Sequence, residues 1–414
     1  MNKRIIAATL LALPLAVSTA YAQDSAGVRI SGFGTGALTW TNSDQAEFSR
    51  PNQATGARKN LTTGIDSNLG LQADYAINSW LSVTGQGLVR KDAEDDFGAE
   101  LSWAFAKARI NDELSVRAGR IGLPVFMISD YRNVGYANTF LRPPVELYSQ
   151  VPFNNIDGAD VTWQHGFGDT TVTAQLAYGH NKTQLTNANT ISGNVSALNL
   201  VAEHGPLTLR LGRADGKMTA HAASLNTLLA GLRGAGAGYK FSQLNQLAND
   251  LELNKKKASF TSAGLGLDWN NIVVQTEFAK RKVDGYVNDT SAWYAMAGYR
   301  FGKVLPYYVH SELKIDSIVT NTVPAACPAG YPAACTPTMA VLRAGVNSLK
   351  NSGVGQGEQS TDTIGVRWDF YRSVALKAQI DRVRPQNGNG LFLAPQPGFK
   401  GPVTVGAVAL DFVF

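Results

Sequence analysis

The sequence has no apolar run of about 20 residues, the length that a membrane-spanning helix requires. Any insertion into a membrane would therefore use β-strands, and strands in lipid must close into a barrel so that every backbone group finds a partner. The apolar fraction is moderate, at 44%. It fits a barrel whose outer face meets lipid while its interior stays polar.

Residues that carry chemistry are also scarce. The five histidines have no metal-binding spacing, no Gly-x-Ser-x-Gly motif occurs, and no Ser-His-Asp set stands out. The sequence therefore indicates no catalytic residues, no metal and no cofactor. Cys327 and Cys335 are the only two cysteines, and no histidine lies near them. In an exported chain they predict one disulfide rather than a zinc site.

Neither sign of charge is in large excess. Lys and Arg total 37, Asp and Glu total 32, and the formal net charge of +5 is spread along the chain. So weak a positive balance argues against a nucleic-acid partner.

Residues 1–22 have the pattern of a secretory signal peptide. Lys3 and Arg4 precede the apolar run IIAATLLALPLAV, and Ala20-Tyr21-Ala22 is a small-x-small cleavage site. We expect cleavage before Gln23, which would leave 392 of the 414 residues and a formal charge of +3. Residues 23–414 contain no linker or break in composition, so we expect a single barrel domain.

Alternating apolar and polar residues mark strands throughout residues 23–414. In VRISGFGTGALTW, Val28 and Leu38 would face lipid while Arg29 and Thr39 face inward. We count sixteen such segments, joined alternately by seven short turns and eight longer loops. An all-β, antiparallel transmembrane barrel of about sixteen strands is the predicted fold, because an even strand number is typical of bacterial outer-membrane barrels.

One segment, residues 121–156, interrupts this alternation. It has no periodicity but many prolines, asparagines, aromatic residues and charges. Loops of this length without secondary structure are uncommon unless they are functional. We predict that this third long loop folds into the barrel lumen and narrows it to a selective pore; an ordinary surface loop is the alternative.

The last strand carries the most specific motif. In VTVGAVALDFVF, Phe414, Phe412, Leu410 and Val408 share one face. This ending resembles the closing strand of Gram-negative outer-membrane barrels; a buried edge strand of a soluble β-domain is the alternative.

With its alternating faces, short turns and long loops, the whole of residues 23–414 resembles the general porins of Gram-negative bacteria. The resemblance implies an outer-membrane barrel of sixteen strands, usually trimeric, whose third loop forms the constriction. The Pro-Glu-Phe-Gly type motif of enteric porins is absent from residues 121–156. The resemblance therefore bears on architecture more than on selectivity.

Nine charged residues are candidates for lining the constriction. Four come from strands three to five, which are neighbours in a barrel, namely Arg90, Lys107, Arg109 and Arg117. The loop offers three carboxylates and two cations, namely Asp130, Glu146, Asp157, Arg132 and Arg142. A passive channel needs only such charges around a water-filled gap. They either set a transverse field across the pore or form salt bridges that hold the loop in place.

Whether Lys107 and Arg109 line the constriction depends on which side chains of strand four point into the barrel. If Lys107 and Arg109 point inward, strict alternation takes Leu101, Trp103 and Phe105 with them. The outward face is then made of small residues, namely Ser102, Ala104, Ala106 and Ala108. Outward glycines on strands one and three extend it, namely Gly32, Gly34, Gly36, Gly85 and Gly87. We predict a subunit interface there, in a homotrimer by resemblance.

Two further features concern the membrane. Aromatic residues at strand ends, such as Trp80, Trp269 and Phe301, predict interfacial girdles; packing in a soluble core is the alternative. Residues 255–257 are three lysines in the fifth long loop, and they could contact lipopolysaccharide phosphates or simply be solvated.

Together these features predict a passive outer-membrane channel for small hydrophilic solutes and ions, with a weak anion preference from the basic wall. A channel specific for a sugar, phosphate or organic acid is one alternative, since loop aromatics could stack on sugar rings, namely Tyr131, Tyr136, Phe140 and Tyr148. An outer-membrane enzyme or an adhesin barrel are the alternatives of another class.

Overall fold

The computed structural model describes residues 27–350 and 357–414; the predicted signal peptide, residues 1–22, lies outside this part. Sixteen antiparallel strands close into one barrel in which sequence neighbours pair and β1 meets β16, so the predicted fold class is confirmed. The strands are β1 Val28–Thr41, β2 Asn68–Ala76, β3 Leu81–Lys91, β4 Phe97–Arg109, β5 Leu114–Gly122, β6 Asn155–Phe167, β7 Thr170–Gln184, β8 Thr190–His204, β9 Leu207–His221, β10 Lys256–Trp269, β11 Ile272–Val283, β12 Asp289–Tyr299, β13 Val304–Ser317, β14 Glu358–Tyr371, β15 Val374–Asn387 and β16 Val403–Val413.

The first and last strands close the barrel. Thr35 lies opposite Asp411, and its hydroxyl donates a hydrogen bond to that carboxylate inside the lumen. On the outer face of the same pair, the rings of Phe414 and Phe412 lie over Gly32 and Gly34. These two glycines are therefore not the open small surface that the sequence predicts, because the side chains of Phe412 and Phe414 cover them.

Apolar side chains cover the outer face of the strands, since alternate residues of each strand point to lipid. Exposed aromatic residues cluster at the end of the barrel with the short turns, here called the turn end, as the predicted girdle requires, namely Trp80, Phe167, Trp269, Tyr299, Phe301, Trp368, Phe370 and Phe414. The opposite end, with the long connections, is called the loop end.

A β-bulge in β4 changes the facing predicted for that strand. Gln86 pairs with Trp103, but the next residue, Gly87, pairs with Leu101, so Ser102 is the extra residue. Trp103 and Phe105 therefore share the lumenal face with Lys107, whereas Leu101 is exposed on the outside. The prediction for Leu101 is wrong because a bulge reverses the alternation.

Three helices stand at the loop end and are here called the helical cap: α2 Ala223–Gly238, α3 Ser242–Leu251 and α4 Cys335–Lys350. Leucines of α2 and α3 pack with Met339 and Val346 of α4 into a separate hydrophobic cluster. The Cys327–Cys335 disulfide lies beside this cluster, with its Cα atoms 6.1 Å apart. Within residues 27–350 and 357–414, no helix is long and apolar enough to cross a membrane.

The third long connection, residues 123–154, folds into the lumen as predicted and is here called the inward loop. It contains only a 3₁₀ turn, Gly135–Ala137, and a short helix α1, Val145–Tyr148. Its apolar side chains, including Phe126, Leu147 and Tyr148, are buried against the lumenal wall. The loop has no regular secondary structure along most of its length, so contacts with the wall must fix its position.

Candidate pore constriction

Arg142 is the central anchor of the inward loop. Its guanidinium lies between Asp66, 2.8 Å away, and Asp381, and all three side chains are buried. Burial alone would raise the pKa of Asp66, but the charge of Arg142 and its hydrogen bonds hold that pKa below the ordinary value. These charges are used for attachment, so Arg142 does not face the open lumen as a free cation.

Glu146 is also an anchor rather than a free carboxylate. Ser311 and Gln359 donate hydrogen bonds to its two oxygens at 2.8 and 2.6 Å, and Thr361 donates another. A buried carboxylate needs such donors because its desolvation is otherwise costly. The sequence left two roles open for these charges, a field across the pore or salt bridges that hold the loop in place. Arg142 has the second role, and Glu146 also holds the loop, but through hydrogen bonds.

A second set of wall residues holds the loop through its backbone. Lys377 forms an ion pair with Asp411 at 2.8 Å and donates hydrogen bonds to the carbonyl groups of Gly135, Asn138 and Phe140. Because these bonds involve backbone atoms, they require a particular loop path rather than particular loop side chains.

The part of the loop next to β9–β11 is held in the same way. Arg210 donates to the carbonyl groups of Pro124 and Val125 at 2.8 and 3.1 Å. Glu277 accepts the backbone N–H of Met127 and the hydroxyl of Tyr148, both at 2.8 Å. The loop therefore contacts the wall from β9 through β16, and its free side faces β2–β5.

Three arginines lie on that free side and are here called the arginine cluster: Arg50 from the first long loop, Arg90 from β3 and Arg132 from the inward loop. They line one cavity of about 40 Å³. Arg90 pairs with Glu100 at 3.0 Å, whereas Arg50 and Arg132 make no ion pair within the described residues. Burial, with the charges of Arg90 and Arg50, lowers the pKa of Arg132 to about 9. Arg132 still carries its charge at pH 7, so the cluster is an electropositive site.

The structure places the other predicted wall cations on the same side of the lumen. Lys107 and Arg117 are cross-strand partners, and both face inward with Phe105. Arg117 is neutralised by Asp160, to which it donates a bidentate pair of hydrogen bonds, and its guanidinium lies 5.1 Å from the centre of the Phe105 ring. Lys107 and Arg109 are exposed toward the turn end. Arg29, also at that end, lies 3.7 Å from Asp74.

The two remaining predicted carboxylates lie in different places. Asp130 is exposed on the free side of the inward loop, where desolvation by the surrounding protein raises its pKa although Arg117 opposes this. Asp157 belongs to β6 and not to the loop. Its cross-strand partner Arg120 pairs with the outward Ala104, so the Arg120–Asp157 ion pair, at 2.7 Å, lies on the outer face. The assignment of Asp157 to the pore is therefore corrected by strand register.

Most of the loop aromatics proposed for sugar stacking are used in packing. Phe140 and Tyr148 are buried, and Tyr136 lies under the guanidinium of Arg367, 4.8 Å from its ring centre. Arg367 itself donates to the carbonyl groups of Tyr136 and Asn138. Tyr131 alone of the four is exposed, at 38%.

A much larger cavity, of about 810 Å³, lies at the loop end between the inward loop, the wall of β8–β11 and the helical cap. It shares residues 50–53 with the small cavity of the arginine cluster. Its other lining side chains are mostly apolar. This cavity is here called the apolar cavity.

Four residues that shape the constriction are not among those predicted from the sequence: Arg50, Asp66, Glu277 and Lys377. Arg50 and Asp66 lie in a polar loop without periodicity, where nothing distinguishes them from solvated residues. Glu277 and Lys377 alternate correctly on their strands, and a charged side chain on the inward face of a strand was the signal that could have found them. Among the residues that the structure describes, no group of three acidic, histidine or cysteine side chains could hold a metal.

No protein-family model matches this chain, and no curated protein does. Solved structures of similar fold include OmpF of Salmonella typhi in complex with daunomycin, aligned over 94% of this chain and 97% of that one at a TM-score of 0.54 and 13% identity. An anion-selective porin from Comamonas acidovorans aligns over 94% and 99%, at a TM-score of 0.51 and 14% identity. OmpT, an outer membrane protein of Vibrio cholerae in a trimer form, aligns over 94% and 99%, at a TM-score of 0.51 and 13% identity. The chain therefore has the porin-like fold of bacterial outer-membrane barrels.

Proposed function

We propose that this protein is a porin: a passive, water-filled channel for small hydrophilic solutes and ions, narrowed by the inward loop. The observation that carries the proposal is the attachment of this loop. Its anchors lie on β9–β16 and, through Asp66, in the first long loop. Its free side faces β2–β5, where charged side chains line the remaining space. A loop that served only as a plug would have no need of unpaired cations on that side.

We further propose that the channel prefers anions. Arg50, Arg132 and Lys107 make no ion pair within the described residues, and these three cations outnumber Asp130, the exposed carboxylate of the inward loop. A surplus of fixed positive charge lowers the barrier for anions and raises it for cations in a narrow lumen. One of the structurally similar barrels is described as an anion-selective porin, which is consistent with this proposal.

A homotrimer is proposed on the outer surface of β1, β3 and β4. Gly36, Gly85 and Gly87 are open there, with no atom within 4 Å of an added Cβ. Ala104, Ala106 and Ala108 continue this surface on β4. Small residues fill little space in lipid but allow close contact with another subunit. A similar barrel is known in a trimer form.

The test is single-channel conductance of the purified protein in planar bilayers, with a KCl gradient across the membrane. We expect steady conductance, steps in groups of three, and a reversal potential of the sign for chloride preference. A cation-selective reversal potential would contradict the anion preference. Silence of correctly folded, inserted protein would overturn the passive channel, and a gated, adhesive or enzymatic barrel would then take its place.

A channel specific for an organic acid is the second candidate. The observation that favours it is the apolar cavity, since a general diffusion pore needs no apolar chamber beside its constriction.

A further inference from the structure

The wall of the apolar cavity departs from the polar interior of a water-filled barrel. On β8–β10, Val195, Gly216 and Ala258 are successive cross-strand partners, so the side chains of Val195 and Ala258 share one face. The opposite face carries Asn194 and Lys217, which are exposed outside the barrel. The apolar face is therefore lumenal. It continues along the wall as Ala214, Met218, Phe260 and Val283.

The other sides of the apolar cavity add further apolar side chains, together with polar ones such as Thr186, Asn187 and Ser224. The inward loop contributes Val151 and Phe153, and the helical cap contributes Leu225 of α2. The volume of about 810 Å³ lies within the range of roughly 300–1,000 Å³ typical of small-molecule sites. Most of the wall offers no hydrogen-bond donor, so a sugar or an inorganic ion would lose hydration there without replacement.

Positive charge is concentrated where the apolar cavity meets the constriction. Arg50 lines both cavities, and its guanidinium makes no hydrogen bond or ion pair within the described residues. Arg90 and Arg132 lie just beyond it, around the smaller cavity. An anionic group placed at Arg50 would gain a charge-assisted hydrogen bond while its apolar body stayed among Val195, Met218 and their neighbours.

We propose that the apolar cavity is a binding site for amphipathic organic anions: small carboxylates with an aromatic or branched aliphatic body. The carboxylate lies at Arg50 and the apolar body lies against the lumenal face of β8–β10. This inference rests on the proposed channel function and names its preferred solute class. The solute is held at the loop end with its charge already directed at the arginine cluster, from which it enters the constriction.

The test uses three probes that separate the two halves of the ligand. The amphipathic anion is 3-phenylpropionate; propionate keeps the carboxylate without the ring, and 3-phenylpropanol keeps the ring without the charge. Binding of each is measured by calorimetry on the detergent-solubilised full chain and by reduction of the chloride current in bilayers. We expect 3-phenylpropionate to bind at least tenfold more tightly than either control.

Two variants test which residues bind the carboxylate of 3-phenylpropionate and which contact its ring. Arg50→Gln should weaken 3-phenylpropionate about tenfold and leave 3-phenylpropanol unchanged; Arg29→Gln, which removes a lumenal arginine at the turn end, is the matched control. Ala258→Trp should fill the cavity and weaken both ring-containing probes. Ser196→Trp adds the same bulk on the outer face of β8 and should change neither.

The possible results separate this inference from the proposed function. Equal binding of propionate and 3-phenylpropionate in an anion-selective channel would overturn the cavity site and leave the channel intact. Binding of 3-phenylpropanol as tight as that of 3-phenylpropionate would overturn the role of Arg50. A protein without conductance that still binds 3-phenylpropionate in calorimetry, with the expected loss in Ala258→Trp, would overturn the channel and retain the site.

Discussion

Arg132 differs from the other loop arginine in what surrounds it. Arg142 is enclosed by Asp66 and Asp381, whereas the guanidinium of Arg132 lies 5.8 Å from the centre of the Phe126 ring and makes no ion pair within the described residues. Two arginines ten positions apart on one loop therefore have separate roles. One fixes the loop, and the other contributes its charge to the lumen.

Charge reversal at Arg132 tests the field of the arginine cluster. Arg132→Glu should shift the reversal potential toward cations, because it replaces a positive charge with a negative one in the narrow part of the lumen. We expect a change on the order of 1 kcal/mol in relative barrier, roughly fivefold in the chloride-to-potassium permeability ratio. Arg29→Glu, at the wide turn end where the side chain is 78% exposed, should change the ratio little because salt screens it. An equal effect of both variants would contradict a localised field.

Asp130 gives the selectivity a dependence on pH. Its raised pKa means that it binds a proton at a higher pH than an ordinary aspartate of pKa 3.8. As the pH falls from 7 toward 4, Asp130 loses its negative charge at a higher pH than an ordinary aspartate does, and the lumen becomes more positive. Anion preference should therefore increase on acidification, measured as reversal potential against pH.

Asp130→Asn is the control for this pH dependence. The variant should show the stronger anion preference already at pH 7 and little further change on acidification to pH 5. An unaltered pH profile in Asp130→Asn would show that another group titrates.

The inward loop, at the scale of the element, depends on its attachment rather than on its own structure. Residues 123–154 contain one short helix and one 3₁₀ turn, so few backbone hydrogen bonds within the loop hold its path. Buried ion pairs and hydrogen bonds from β9–β16, and from Asp66 in the first long loop, replace them. Loss of a single buried anchor should therefore affect the loop while the barrel wall stays intact.

Removal of the central anchor tests this dependence. Arg142→Met leaves Asp66 and Asp381 buried without their cation, which costs on the order of 3–5 kcal/mol. We expect a noisier single-channel current and faster proteolysis within residues 123–154, with the barrel still resistant. Arg132→Met, on the same loop, should leave proteolysis unchanged. A quiet, protease-resistant Arg142→Met channel would show that the remaining contacts suffice.

The outer surface of the whole barrel is not uniform. Exposed leucines, tyrosines and tryptophans cover β7–β15, whereas β3 and β4 present mainly Gly85, Gly87 and the alanines from Ala104 to Ala108, beside the exposed Val83 and Leu101. The small surface is confined to one side of a closed barrel. Each subunit of a cyclic trimer can therefore turn this side toward the symmetry axis.

Bulk on this surface tests the trimer. Ala106→Trp should convert the trimer to monomers in unheated gels and in light scattering, because the indole would separate surfaces that otherwise meet closely. Ala297→Trp, on the outward face of β12 across the barrel, adds the same bulk toward lipid and should leave the trimer intact. Trimers of unchanged stability in Ala106→Trp would place the interface elsewhere.

Local chemistry determined the architecture, and the sequence alone was therefore sufficient to predict it. Alternation with a period of two fixes which side chains meet lipid, and it identified sixteen strands, the terminal strand with Phe414, and the segment without periodicity that becomes the inward loop. The bulge at Ser102 could not be predicted in this way, because one extra residue does not change the composition of the strand.

Only the tertiary structure decided the role of each charge. The sequence does not distinguish the roles of the four charged loop residues Arg142, Arg132, Asp130 and Glu146. Arg142 and Glu146 are buried against partners more than 70 residues away, whereas Arg132 and Asp130 face the lumen. The apolar cavity likewise needs three strands, the inward loop and the helical cap to come together. The period of a strand depends on neighbouring residues, whereas neutralisation of a charge and enclosure of a cavity depend on groups that meet only when the barrel closes.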